Sequence, residues 1–84
     1  MLHIRFFAAI REKTGRSSLD IDAAPGIVDV ATLVQHLDEA VMPGCAAVLF
    51  ADNTLIAVNR FVASMTAPVG DGDEIAFYPP VTGG

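Results

Sequence analysis

The sequence predicts an α+β fold, a mixed sheet with one main helix packed across it. Three observations predict it. Both ends alternate apolar and polar or paired faces, in "LHIRFF" and "EIAFY"; residues 30–41 repeat apolar residues at helical spacing; and Pro, Gly, Asn and Asp clusters punctuate the short segments between. At 84 residues the chain supports a single core. Hydrophobic residues make up 52% and charged residues 18%, a balance that argues against disorder and for a core large for the chain's length.

The first strand places Leu2, Ile4 and Phe6 on one face and His3, Arg5 and Phe7 on the other. "AAIREKTG" is a short helical turn anchored by Ile10, with Gly15 where a left-handed C-terminal residue belongs. "SLDIDA" alternates again, Leu19, Ile21 and Ala23 inward and Asp20 and Asp22 outward; two carboxylates without a third are a solvated strand face rather than a metal site. After Pro25-Gly26, Asp29 caps a helix carrying Val30, Leu33, Val34, Leu37 and Val41 on one face, and Pro43-Gly44 ends it. "CAAVLF" is open between strand and short helix, because so short a run has no decisive period.

"LIAVN" and "RFVA" are two strands meeting at Asn59-Arg60, Asn tolerating the positive φ of a tight turn. "APVGDGDE" is a turn cluster, and Asp71-Gly72-Asp73 lacks the further oxygen ligands of a cation loop. In the last strand Ile75 and Phe77 share one face, Ala76 and Tyr78 the other, and Pro79-Pro80 ends it for want of amide donors. This order fits a β-grasp, or ubiquitin-like, roll spanning residues 1–78, with residues 79–84 as an extended tail. In that roll the first and last strands lie side by side, so Phe7 and Tyr78 become neighbours on the outer face. Two aromatics together mark a docking patch, unless loops cover them.

Charge and cysteine count exclude several functions. The net charge is −5, and Arg5, Arg11, Lys13 and Arg16 all fall in the first 16 residues, leaving Arg60 as the only later base against nine acids. Nucleic acid needs a broad basic face, so it is not an expected partner; the small basic patch that includes Arg11 can meet an acidic protein surface. Cys45 alone permits no disulfide, thiolate cage or iron–sulfur cluster, and is expected to be a buried, inert thiol. His3 and His36 have no ligand-spaced partners, so no metal site is expected. With no membrane-length apolar run and no signal-peptide pattern, a cytoplasmic protein is expected.

The chain closes on "AFYPPVTGG". Pro79-Pro80 pre-orders an extended spacer, and the six residues from there to Gly84 reach on the order of 20 Å. A carboxylate on that arm can enter another protein's active site while the domain stays docked outside. Glycine suits the chemistry, because attack on an activated C-terminal carbonyl is easier without a Cβ beside it and Gly83 lets the backbone thread a narrow channel. Val81 and Thr82 would supply grip. A functionless frayed end is the alternative.

"FFAAIRE", "AVN" at residues 57–59 and "DGDEIAFYPPVTGG" resemble the small subunits of molybdopterin synthase, the ubiquitin-like sulfur carriers of molybdenum cofactor biosynthesis. The likeness spans nearly the whole chain but is specific mainly in the last 14 residues, and "VMPGCAAVLFADN" is least typical. The resemblance implies that Gly84 is adenylated from ATP by a ubiquitin-activating-like adenylyltransferase. A sulfur donor system then converts it to a thiocarboxylate. The tail enters the large subunit, in a complex of two small and two large subunits, and its sulfur goes to cyclic pyranopterin monophosphate. The small subunit holds no permanent cofactor or metal and supplies no acid or base. In that family the aromatic before the Pro-Pro pair, here Tyr78, helps form the docking surface; Phe7, Arg11, Pro79, Pro80, Val81 and Thr82 are the other residues expected to meet a partner. Rival readings are a sulfur carrier for thiamine biosynthesis, which lacks the aromatic-Pro-Pro-Val-Thr stretch, a ubiquitin-like modifier of lysines, and a docking module whose tail does nothing.

Overall fold

A computed structural model of the chain describes residues 1–80. Five strands form one sheet: β1 (Leu2–Phe6), β2 (Ser18–Ile21), β3 (Leu55–Val58), β4 (Phe61–Ala63) and β5 (Glu74–Tyr78), in the order β2-β1-β5-β3-β4. The terminal strands β1 and β5 run parallel at its centre, with Ile4 opposite Ile75 and Phe6 opposite Phe77, and the other pairs are antiparallel. The inward residues of these strands meet Val30, Leu33 and Val34 of helix α2 (Val30–His36), all fully buried, in a core that contains no buried polar side chain among the described residues. Phe6 and Phe77 stack within it, their ring centroids 5.9 Å apart. This is a β-grasp fold.

Local chemistry sets the elements. Asp29 closes a capping box on α2: the Thr32 amide donates to Asp29 Oδ1 (2.8 Å), while the Thr32 hydroxyl accepts from the Asp29 amide (3.1 Å). The apolar stripe that reads as one helix divides in two, because Leu37–Val41 forms a π-helical turn in which the Met42 amide reaches back to Leu37 O. Met42 stands before Pro43 and is non-helical (φ −134°, ψ 78°), as the proline ring demands of its predecessor.

The undecided "CAAVLF" is helical: α3 spans Ala46–Leu49. A residue distant in sequence decides it, for the Asp38 carboxylate accepts from the Gly44 and Ala46 amides (2.9 and 3.0 Å). Ala23 is exposed and not inward, since β2 leaves the ladder at Ile21, its partner Leu2 being the first residue of β1. The β3–β4 turn places both Asn59 (φ 50°) and Arg60 (φ 73°) in the left-handed region, the signature of a two-residue hairpin. In the Asp71–Asp73 turn the Asp73 carboxylate accepts from the Gly70 amide and Asn59 Nδ2, which ties the β3–β4 hairpin to the entrance of β5. The remaining helix, α1 (Ala8–Thr14), buries Ile10 and ends on Gly15 at φ 74°.

Candidate functional site

The parallel pairing of β1 with β5 builds the site. Phe6 lies opposite Phe77, and the Phe7 amide donates to Phe77 O (3.1 Å), so the residue that follows each strand position stands beside its counterpart. Phe7 and Tyr78 stack face to face, with centroids 4.6 Å apart and planes 4° from parallel. The Arg5 guanidinium sits 5.8 Å from the Phe7 ring centroid, and Arg11 is exposed on α1. Both rings are half-buried, each covering part of the other.

The patch is wider than these two residues. Across β5 and β3, Tyr78 faces Leu55 and Ala76 faces Ala57, and Ala57 faces Val62 on β4. These side chains share the sheet face opposite the helices. Leu55 is 42% exposed and Val62 is 90% exposed, above a floor formed by Ala57 and Ala76. Toward β2 the same face turns polar, with His3 Nδ1 2.8 Å from Asp20 Oδ1 and Arg5 3.9 Å from Glu74. An apolar strip bordered by charge gives a partner both affinity and a fixed orientation.

Sequence reasoning found Phe7 and Tyr78 but missed Leu55, Ala57 and Val62. "LIAVN" and "RFVA" carry apolar residues on both faces, and only the register shows which of them lie on the open side. The strip runs straight into the tail root, where Pro79 is half-buried and Pro80 exposed. Val81, Thr82, Gly83 and Gly84 lie outside the described residues.

The charged groups of this face, His3 with Asp20 and Arg5 with Glu74, are paired with one another at its β2 side. Among the described residues no group of three His, Cys, Asp or Glu is placed to hold a metal ion. Cys45 is buried, and burial first, then the nearby Asp38 charge, pushes its thiol pKa above the ordinary value. No helix among the described residues is long and apolar enough to cross a membrane.

Fold and surface together define a β-grasp domain whose open sheet face carries an apolar strip that reaches Pro79 and Pro80, the last of the described residues. The chain belongs to the ThiS family, whose profile matches residues 4–84. It is 39% identical to the Escherichia coli protein named molybdopterin synthase sulfur carrier subunit, with both chains covered completely. Among solved structures it resembles SAMP1 of Haloferax volcanii, with a TM-score of 0.80 and 26% identity over 99% of this chain and 98% of that one. It also resembles a chain of the complex of subunits 1 and 2 of molybdopterin-converting factor from Helicobacter pylori, with a TM-score of 0.65 and 27% identity over 99% and 97% of the two chains.

Proposed function

We propose that this protein is the sulfur carrier subunit of a molybdopterin synthase. The observation that carries the reading is full-length similarity to a protein of that name, joined to an apolar sheet face that leads directly into the tail root. The Helicobacter pylori complex supports a large-subunit partner for the docking face. A ubiquitin-activating-like adenylyltransferase, a sulfur donor system and a complex of two small and two large subunits complete the proposal.

The chemistry belongs to the tail, and the domain positions it. The Gly84 carboxylate attacks the α-phosphorus of ATP and expels pyrophosphate, forming an acyl-adenylate. Sulfur at the sulfide level, delivered by the donor system, attacks that carbonyl and expels AMP, leaving a thiocarboxylate. Gly83 gives clearance for both attacks. Docked through Phe7, Tyr78, Leu55 and Val62, the domain holds Pro79 and Pro80 at the large subunit's entrance, with Val81 and Thr82 lining the path inward. The thiocarboxylate sulfur then passes to cyclic pyranopterin monophosphate, and water restores the carboxylate for another round. Proximity supplied by docking, rather than an acid or base of this chain, is the domain's contribution.

The test is an intact mass followed by fragmentation, after co-production with an activating enzyme of the pathway and a sulfur source. One oxygen replaced by sulfur, located at Gly84, is the expected result. Location matters because Met1, Met42, Met65 and Cys45 can each gain an oxygen of nearly equal mass. An unmodified Gly84, beside a control carrier that did load, would sink the proposal; covalent ladders on other proteins would favour a modifier.

A further inference from the structure

We propose that the groove between α1 and α3, beside the tail root, is a second docking surface that receives an apolar side chain flanked by a carboxylate on the large subunit. The inference rests on the function proposed above, because it assigns a second contact to the same partner.

The groove has a volume of about 550 Å³, and most of its wall is apolar: Ala8, Ala9, Val48 and Ala51, closed on one side by Pro79 and Pro80. Short side chains on both helices keep it open. Few polar groups converge on it. The Thr54 hydroxyl is already spent on Val48 O (2.8 Å), which leaves the Asn53 amide and the Lys13 ammonium as its polar side-chain groups. A small-molecule site would need several convergent polar groups to orient its ligand, so a protein side chain fits this groove better.

Charge defines the occupant further. Lys13 makes no ion pair among the described residues, nor do its exposed neighbours Arg11 and Arg16, although the chain as a whole carries −5. Lys13 therefore sets a positive charge on the rim of the groove in an acidic protein, and a surface that covers it gains by bringing a carboxylate. Position names the partner. Pro79 and Pro80 follow Tyr78 directly, so the sheet-face strip ends where the groove begins. A partner that takes in the tail meets the strip on one side of the tail root and the groove on the other. Contacts on both sides fix the direction in which the tail leaves the domain, which contact with the sheet face alone does not.

The test is calorimetric titration of the full chain with the purified large subunit at two salt concentrations. Lys13→Glu reverses the rim charge, and Ala47→Glu sets a competing carboxylate in the groove at an exposed position that leaves the core untouched. Each variant is expected to raise Kd roughly tenfold with an unchanged melting temperature, and Lys13→Glu to flatten the salt dependence. Affinity within about twofold of the unaltered chain for either variant would overturn the groove. Val62→Ala, run in the same series, separates the two levels: if it alone weakens binding, the sheet face and the proposed function stand while the groove falls. No binding by the unaltered chain would overturn both.

Discussion

Val62 offers the sharpest test of the docking face. It is 90% exposed, so nearly all of its apolar surface is free to be buried by a partner and almost none of it supports the fold. Replacing it with Ala removes two methyl-sized carbons, worth about 0.8 kcal/mol each when buried, so docking should lose about 1.6 kcal/mol. That raises Kd roughly 15-fold. Stability should change by less than about 1 kcal/mol, the cost of exchanging a β-branched residue for Ala on an edge strand. Phe61 supplies the control. It is 78% exposed on the same strand, but it pairs with Val58 and so points to the helix side of the sheet. Titration with the large subunit should therefore show Val62→Ala weakened and Phe61→Ala unchanged. Equal losses in both would indicate general hydrophobic adhesion, and no loss in Val62→Ala would refute docking through this face.

Three further outcomes are expected. Phe7→Ala or Tyr78→Ala should weaken the same complex by about 1–3 kcal/mol, since each removes half of the stacked pair, and unchanged affinity in both would remove the stack from the interface. The Thr32 backbone amide, then the Thr32 hydroxyl, hold the Asp29 pKa below 3.8, so its contribution is present above that value and is lost as pH falls through the lowered folded pKa. Asp29→Ala should therefore melt below the unaltered chain at about pH 7, with the gap narrowing at about pH 2, and a pH-independent gap would contradict the capping-box account. Cys45, buried and with a raised pKa, should react with a thiol reagent far more slowly in the folded chain than in denaturant; equal rates would show the site open.

Much of the fold was legible because local and tertiary preferences agree. The alternation of Leu2, Ile4 and Phe6 appears as alternating burial, Asp29 caps the helix it precedes, and Asn59 turns the hairpin. Where local signals were silent, distant residues decided. Ala46–Leu49 is helical because the Asp38 carboxylate collects amides from the preceding turn, an interaction across eight residues that no period in "CAAVLF" records. Ala23 was misread because alternation continues in sequence past the point where the neighbouring strand offers a partner. The site divides in the same way. Phe7 and Tyr78 could be paired once the terminal strands were placed together, whereas Leu55, Ala57 and Val62 depend on the register of three strands.

The sequence by itself determined the α+β class, the inward face of each end strand and the presence of a single thiol, and it supplied the Pro-Pro and Gly-Gly residues on which the proposed sulfur-carrying role rests. Side-chain spacing and backbone restriction are local properties, and they are written in consecutive residues. Only the tertiary structure decided that Val62 and Leu55 extend the aromatic pair into a strip, that Arg5 lies over Phe7, and that Lys13 and four alanines open a groove beside Pro79 and Pro80. Each of these joins residues from different elements. What brings them together is strand register and helix packing, set by burial of the whole core at once and not by any one segment.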